Sequence, residues 1–255
     1  MISRPSQTRR TFAKVLGGGL AALAGCTSGF TASSGSARLS ARPGEPVNPL
    51  PPGLTPLGFA SGRDGFLLIP ASNQSDLAAP LMLVLHGAGG SADDMLGFRS
   101  ADAEREGILL LAVDSRGSTW DAMRGVYGPD IGFLDQALAY VFARCRVDPS
   151  HVIVEGFSDG ASYALGLGLA NGDLFTHVVV LSPGFIPGFD DEPVGNPPIF
   201  VAHGKQDAIL PIDETSRPLV ASLREQGYTV EFVEHDGGHN VPAAVAAEAL
   251  VWSLA

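Results

Sequence analysis

Residues 152–160 read Val-Ile-Val-Glu-Gly-Phe-Ser-Asp-Gly, a short apolar run followed by a G-x-S-x-G motif. Small residues continue through Ala164, in a pattern typical of a helix. This order predicts a strand, a sharp turn and a helix, with Ser158 lifted clear of the backbone in a nucleophile elbow. A side chain at Gly156 or Gly160 would collide with the neighbouring strand or helix. The motif is common, so by itself it leaves open a strand-turn-helix with an incidental serine.

The chain around this motif alternates between apolar runs and helical patterns. Strands are predicted at 66–69, 81–85, 108–113, 152–154, 176–181, 198–201 and 228–233, and the runs 81–85 and 108–113 are continuously apolar, as in strands covered on both faces. Helices are predicted over 91–106, 131–143, 159–170, 211–226 and 242–254, and Pro218 conflicts with the fourth. A short strand at Phe59 is expected to form a hairpin with 66–69. The sequence therefore predicts one α/β domain over residues 57–255, with a mostly parallel sheet and helices on both faces.

The first 26 residues have the composition of an export signal. The pair Arg9 and Arg10 precedes a short apolar run, which ends at Leu23-Ala-Gly-Cys26. This arrangement is typical of secreted proteins, and the apolar run is too short to span a bilayer. The arginine pair resembles a twin-arginine signal, and Leu-Ala-Gly-Cys resembles a bacterial lipobox that would lipidate Cys26 after removal of residues 1–25. The alternative is a plain secretory signal cut a few residues later. We expect an exported protein of the bacterial cell envelope, a periplasmic or outer-surface lipoprotein.

Residues 26–56 are rich in Ser, Ala, Gly and Pro, with six prolines from Pro43 to Pro56. This composition predicts a flexible tether without regular structure, so the folded domain is expected to begin near Leu57. Cys145 lies in a helical run and is expected to be a core residue without a disulfide partner.

The chain is acidic, with a net charge of −11, and four of its 16 basic residues lie within the first 14 positions. An acidic surface argues against nucleic acid as a partner and gives no basic patch for anionic lipid. We therefore expect membrane association only through a lipid anchor at Cys26.

Two later residues complete a constellation with Ser158. Serine is a weak nucleophile that needs a base, and the base needs an orienting acid. Asp207 follows the predicted strand 198–201, and His239 follows the predicted strand 228–233. In open α/β sheets, functional residues collect at the carboxyl ends of strands. The order serine, aspartate, histidine is one of the known triad orders. It predicts Ser158 as nucleophile, His239 as base and Asp207 as acid, with no cofactor and no metal.

Other residues compete for these roles. His235 is the rival base. Three further aspartates are rival acids: Asp190, Asp213 and Asp236. His235 and His239 have an H-x-x-x-H spacing, but a metal pair of that kind needs a helix, and the glycines between them predict a turn. The remaining candidates, His86 and His203, are expected to pack and hydrogen-bond beneath the site.

An oxyanion hole needs two preorganised N–H donors. One is expected from Asp159, which follows the nucleophile. The other is expected from the glycine-rich loop 86–90, by analogy with the loop that serves this purpose in such folds, with Ala88 as first choice and Gly89 as second. The loop lacks the Gly-Lys-Ser/Thr ending of a nucleotide-binding loop, so phosphate is not the expected ligand.

Together these motifs carry a family resemblance. From about Gly65 to its end, the chain resembles the serine carboxylesterases of the α/β-hydrolase superfamily, especially the phospholipase/carboxylesterase-like and polyhydroxybutyrate-depolymerase/feruloyl-esterase-like groups. The matching motifs are His86-Gly87, Gly156–Gly160, His203-Gly-x-x-Asp207 and Gly237-Gly-His239. The resemblance implies esterase activity with nucleophile, acid and base at Ser158, Asp207 and His239. Residues 115–121, Ser-Arg-Gly-Ser-Thr-Trp-Asp, also look typical of the family, but no chemical role follows for them.

The expected substrate is a small or accessible carboxylic ester. Residues 182–197 are too few for a lid domain, which predicts an open site. Trp120 and Phe157 are candidate walls, with a core position the equal alternative for both. The sequence does not separate an esterase from a polyester depolymerase, a feruloyl-type esterase or a serine peptidase. A non-catalytic envelope binding lipoprotein on a hydrolase scaffold is the alternative of another class.

Overall fold

A computed structural model describes residues 35–74 and 76–255, so the predicted export signal and Cys26 lie outside the described residues. The strands of the described chain are β1 (Gly53–Pro56), β2 (Gly65–Ile69), β3 (Ala79–Leu85), β4 (Leu109–Val113), β5 (Val147–Phe157), β6 (His177–Leu181), β7 (Ile199–Gly204) and β8 (Val230–His235). The helices are α1 (Ala92–Glu106), α2 (Pro129–Phe142), α3 (Asp159–Ala170), α4 (Ser216–Glu225) and α5 (Ala243–Ser253), with a short 3-10 helix at Asp121–Arg124.

These strands form one sheet in the order β1-β2-β4-β3-β5-β6-β7-β8. β1 and β2 run antiparallel to their neighbours, whereas β4, β3 and β5 to β8 pair in parallel. The mostly parallel sheet predicted from the apolar runs is confirmed. Its carboxyl edge is where β5, β7 and β8 deliver the residues described below.

Apolar side chains cover both faces of the sheet, because side chains of a strand alternate between its faces. In β3, Leu81, Leu83 and Leu85 belong to the core beneath α2, α3 and α4, whereas Met82 and Val84 belong to the core beneath α1 and α5.

One buried ion pair crosses this apolar packing. Arg99 of α1 makes two hydrogen bonds, of 2.8 and 2.6 Å, to the carboxylate of Glu155 in β5. The pair ties α1 to the strand that leads into the elbow.

Local sequence signals explain how the helices begin and end. Ser91 caps α1 in a capping box with Asp94, and Gly107 ends the helix with a φ of 72°, which favours glycine. α4 begins at Ser216, later than predicted. Pro218 therefore lies in the first turn, where its missing N–H removes no helical hydrogen bond.

Part of the predicted tether is folded, which corrects the boundary at Leu57. Ala37 and Leu39 are buried in the core. The Leu39 N–H donates to Asn171 Oδ1 (2.8 Å), and Asn171 Nδ2 donates to the Ala37 carbonyl (2.8 Å). Arg38 pairs with Asp173 at 2.9 Å. Because polar side chains of distant segments supply these hydrogen bonds, residues 35–50 are ordered without a helix or strand of their own.

The strand that pairs with β2 is β1, and not the stretch around Phe59. β1 is an edge strand, a position at which a proline such as Pro56 is tolerated. The Phe59 ring instead packs edge-on against Phe133 and Tyr140, with centroids 6.1 and 5.5 Å apart. The predicted strand position was therefore wrong by a few residues. The prolines around residues 51–56 favoured a linker without regular structure, although β1 forms there.

Three smaller features remain. Cys145 is a buried free thiol, and burial raises its pKa to about 11. Residues 182–198, between β6 and β7, contain neither helix nor strand, so no lid domain is present there. Within residues 35–74 and 76–255, no helix combines the length and apolar character needed to cross a bilayer.

Candidate active site

Ser158 stands at a sharp turn between β5 and α3. Its backbone has φ 56° and ψ −119°, a strained combination for a residue with a side chain. The turn is held because the Ser158 N–H donates to the Leu181 carbonyl at 2.9 Å. A Cβ on Gly160 would lie 2.5 Å from the His86 carbonyl oxygen, and one on Gly156 would overlap the Gly160 carbonyl. The predicted need for glycine at both positions is confirmed.

The side chains of Ser158, His239 and Asp207 form a continuous chain of hydrogen bonds. His239 Nε2 is 2.9 Å from Ser158 Oγ, and His239 Nδ1 is 2.6 Å from Asp207 Oδ2. A carboxylate acceptor at Nδ1 holds the proton there and leaves Nε2 free to accept the serine proton. Residues more than 30 positions apart are thus brought together in the geometry expected of nucleophile, base and acid.

Asp207 is held in its ionised form by four donors. The N–H groups of Ile209 and Leu210 donate to Oδ1 at 2.9 and 2.8 Å, while His239 and His203 face Oδ2. Burial alone would raise the pKa of this carboxyl. The hydrogen bonds from Leu210, His239 and Ile209 outweigh burial, so the pKa lies below its usual range.

The direct contact between His203 and Asp207 was not predicted from the sequence. The Nε2 of His203 lies 2.8 Å from the Leu210 carbonyl and 3.1 Å from Asp207 Oδ2, and its Nδ1 lies 2.6 Å from Ser216 Oγ. Burial lowers the pKa of His203, so the ring is neutral, with its proton on Nε2 and Ser216 as donor to Nδ1. The prediction that His203 hydrogen-bonds beneath the site is confirmed. The signal in the sequence for this direct contact was that His203 precedes Asp207 by only four positions.

The rival residues lie in other environments. The Nδ1 of His235 accepts a backbone N–H two residues further along, at 3.1 Å. Asp213 pairs with Arg217, and Asp236 pairs with Lys205, both at the surface. Within the described ranges, no three His, Cys, Asp or Glu side chains come together as a group that could hold a metal ion.

The loop 86–90 lies directly against the nucleophile. A Cβ on Gly87 would lie 3.3 Å from the Ser158 Cβ. The Gly89 N–H donates to the Ser118 carbonyl at 2.7 Å. The prediction of Gly89 as the second-choice oxyanion donor is therefore wrong, because its N–H is already used. Among the described residues, the N–H groups of Ala88 and Asp159 donate to no other protein group. These two N–H groups remain available beside Ser158.

The predicted walls divide into one core residue and one site residue. Trp120 is fully buried, and its ring lies between those of His86 and Tyr163, with both centroid distances 5.0 Å. Its prediction as a wall is therefore wrong, because the indole fills the space beneath the loop 86–90. Phe157 is partly exposed and packs against the His239 ring, with centroids 5.0 Å apart.

A cleft of about 320 Å³ lies between the segments 116–121 and 124–130. Thr119 lines this cleft and donates from Oγ1 to Asp159 Oδ2 at 2.6 Å. Thr119 thus connects the cleft to Asp159, the residue that follows the nucleophile. No motif in the sequence predicted this cleft.

Known proteins resemble this chain in sequence and in fold. Residues 124–249, which include Ser158, Asp207 and His239, match the family model "Serine hydrolase (FSH1)". "Probable feruloyl esterase C" of Aspergillus terreus (strain NIH 2624 / FGSC A1156) is 30% identical over 213 residues, covering 70% of this chain and 77% of that protein. "Putative esterase NocK" of Nocardia uniformis subsp. tsuyamanensis is 33% identical over 148 residues, which cover 54% of this chain and only 42% of that protein.

The solved structures agree in fold. The substrate-bound, fluorophosphonate-binding serine hydrolase F (FphF) of Staphylococcus aureus superposes with a TM-score of 0.63 at 14% identity, covering 81% of this chain and all of that one. At that identity, the likeness concerns the fold alone. With the sequence matches, it leads to one conclusion: this chain belongs to the serine hydrolase and esterase family of the α/β-hydrolase superfamily.

Proposed function

We propose that this protein is a carboxylesterase that cleaves small or accessible esters through an acyl-enzyme on Ser158. The observation that carries the proposal is the hydrogen-bonded chain of Ser158, His239 and Asp207, with 2.9 and 2.6 Å between successive side chains. It stands at the carboxyl edge of the sheet, where this fold places its active site.

In the proposed first step, Ser158 Oγ attacks the ester carbonyl carbon while His239 Nε2 takes the hydroxyl proton. Negative charge develops on the carbonyl oxygen, which accepts hydrogen bonds from the N–H groups of Ala88 and Asp159. The intermediate collapses, the bond to the alcohol oxygen breaks, and His239 returns its proton to that oxygen. Asp207 stays ionised and stabilises the imidazolium that forms in between.

In the second step, His239 takes a proton from a water molecule that attacks the acyl-enzyme carbonyl. The same two N–H groups stabilise the second oxyanion. Collapse releases the carboxylic acid and restores the Ser158 hydroxyl with the proton held by His239. No step needs a metal or a cofactor.

A feruloyl-type or polyester-cleaving activity is the second candidate. The 30% identity to a protein named as a feruloyl esterase favours it. The cleft lined by Thr119, whose hydroxyl contacts Asp159, also offers room for part of an ester larger than an acetate. A panel of p-nitrophenyl esters of increasing chain length, with methyl ferulate, a polyester film and a peptide substrate, separates these activities.

The test of the proposal compares wild type and Ser158→Ala on p-nitrophenyl butyrate. We expect the variant to lose at least about 10³-fold in kcat, since the nucleophile is absent. Equal rates for the two proteins would refute the proposal and favour a binding protein on a hydrolase scaffold.

We also propose that the protein is exported and held at the cell envelope by a lipid on Cys26. The support is the twin-arginine-like and lipobox-like sequence before residue 27. Only nine positions separate Cys26 from Gly35, which at most reach about 30 Å, so the folded domain would stay close to the membrane. Mass spectrometry of the mature N-terminus tests this. An unlipidated N-terminus downstream of Cys26 would refute the anchor.

A further inference from the structure

The segment 115–120 joins the two loops that surround the nucleophile. The Ser118 carbonyl accepts the Gly89 N–H at 2.7 Å, which fixes the loop after β3. The next residue, Thr119, donates from its hydroxyl to the Asp159 carboxylate at 2.6 Å, which fixes the beginning of α3. Ser118 and Thr119 therefore hold both the loop that carries the Ala88 N–H and the helix start that carries the Asp159 N–H.

The same segment also supports the first loop from below. The buried Trp120 donates from Nε1 to the His86 carbonyl at 2.8 Å. The Ser115 N–H donates to His86 Nε2 at 3.0 Å, and Ser115 is itself fully buried. Rigid support of this kind keeps the Ala88 N–H in place without any contact to the substrate.

Asp159 presents a particular electrostatic problem. Its N–H is one proposed oxyanion donor, but its carboxylate carries a negative charge on the same residue. A carboxylate that turned toward the reacting oxygen would oppose the charge developing there. The hydrogen bond from Thr119 holds the carboxylate against the segment 115–121.

We propose that Thr119 is a positioning residue for the oxyanion hole. Its hydroxyl holds the Asp159 side chain, so that the Asp159 N–H stays aimed at the reacting oxygen while the carboxylate stays away from it. The proposal rests on the proposed esterase function and gives a role to the segment 115–121.

The experiment compares four purified full-length proteins: wild type, Thr119→Val, Thr119→Ser and the control Thr229→Val. Valine keeps the shape of threonine without its hydroxyl, and serine keeps the hydroxyl. Thr229 is an exposed residue just before β8, at the opposite end of the sheet from the site. The measurements are kcat and KM on p-nitrophenyl butyrate, the Ki of a trifluoromethyl ketone that forms a tetrahedral adduct on serine, and the melting temperature.

We expect Thr119→Val to lower kcat about 10-fold, less than the loss of about 10²- to 10³-fold for removing an oxyanion donor outright. KM should change less than twofold, and the Ki of the ketone should rise by the factor by which kcat/KM falls. Thr119→Ser and Thr229→Val should stay within twofold of wild type in every measurement.

A double-mutant cycle with Asp159→Asn tests the electrostatic part. With the charge of Asp159 removed, Thr119→Val should cost clearly less than about 10-fold.

Two outcomes would overturn the inference while leaving the esterase proposal intact. One is an unchanged kcat in Thr119→Val when Ser158→Ala is inactive. The other is a loss that follows the melting temperature and is not restored by Thr119→Ser, which would indicate a general structural role. Activity that persists in Ser158→Ala would instead refute the proposed function itself.

Discussion

Replacing Asp207 by asparagine should remove most of the activity without changing the shape of the site. In the protein, Oδ1 of Asp207 accepts two backbone N–H groups, while Oδ2 faces His239 Nδ1 and His203 Nε2. An asparagine can point its oxygen at only one of these two pairs of donors. The amide N–H groups of the asparagine must then face the other pair of N–H donors, with no acceptor between them.

The two orientations differ in cost. If the amide faced the backbone, two buried N–H groups would lose their acceptor, at about 1–3 kcal/mol each. If the amide faces the imidazoles, His239 can change tautomer and His203 still has the Leu210 carbonyl as an acceptor. We therefore expect the second orientation. It places the His239 proton on Nε2, where the ring donates to Ser158 and cannot take its proton.

The expected loss in kcat is about 10⁴-fold, the effect of the wrong tautomer in triad enzymes, which corresponds to about 5 kcal/mol of transition-state stabilisation. The assay is the hydrolysis of p-nitrophenyl butyrate near pH 8, with a urea titration to show that the variant is folded. The control is Asp213→Asn, a rival acid that is 77% exposed in a surface pair, which should stay within twofold of wild type. Retention of a tenth of the activity in Asp207→Asn, or a loss in Asp213→Asn as large as that in Asp207→Asn, would refute this role of Asp207.

Four further predictions concern the elbow, helix α1 and the contacts of the N-terminal segment. Gly160→Ala should abolish activity and lower the free energy of unfolding by about 1–3 kcal/mol, because the new methyl overlaps backbone carbonyls. Gly97→Ala, where nothing lies within 4 Å, should stabilise helix α1 by about 0.5–1 kcal/mol in the same urea titration. Asn171→Ala should cost about 3 kcal/mol, since two buried backbone groups lose their partners, and proteolysis of residues 35–50 should become faster. The hydrogen bond from Arg38 lowers the pKa of Asp173 to about 2, so the stability that Asp173 contributes is complete above about pH 4 and is lost as the pH falls toward 2. A stability difference between wild type and Asp173→Asn that stays constant over this range would contradict that assignment.

The elbow and the residues around it were predictable because their signals are local. An apolar run, two glycines and a series of small residues define the turn at Ser158 without reference to the rest of the chain. Asp207 and His239 each follow a strand that the sequence predicts, and parallel strands bring such positions to one edge of the sheet. Their hydrogen bonds to one another follow from that topology.

The N-terminal segment could not be predicted in the same way. Residues 35–50 have no periodicity, and their prolines are typical of a linker. They are held by Asn171 and Asp173, more than 130 positions further along. Side-chain hydrogen bonds over such separations leave no pattern in a local window of sequence.

The roles of Trp120 and Thr119 also depended on tertiary structure. A tryptophan in a long loop near the site favours a wall as much as a core position, and only the hydrogen bond from Nε1 to the His86 carbonyl decides for the core. The Thr119 hydroxyl meets Asp159 because the loop after β4 folds back over the elbow. Neither contact follows from spacing along the chain.

The central claim is that Ser158 is the nucleophile, and covalent labelling tests it most directly. The measurement is the mass of the intact protein and of its proteolytic peptides after treatment with an alkyl fluorophosphonate. We predict one added phosphonyl group per chain, on the peptide that contains Ser158, and no addition in Ser158→Ala. No labelling of wild type, or labelling that persists on another serine in Ser158→Ala, would contradict the account.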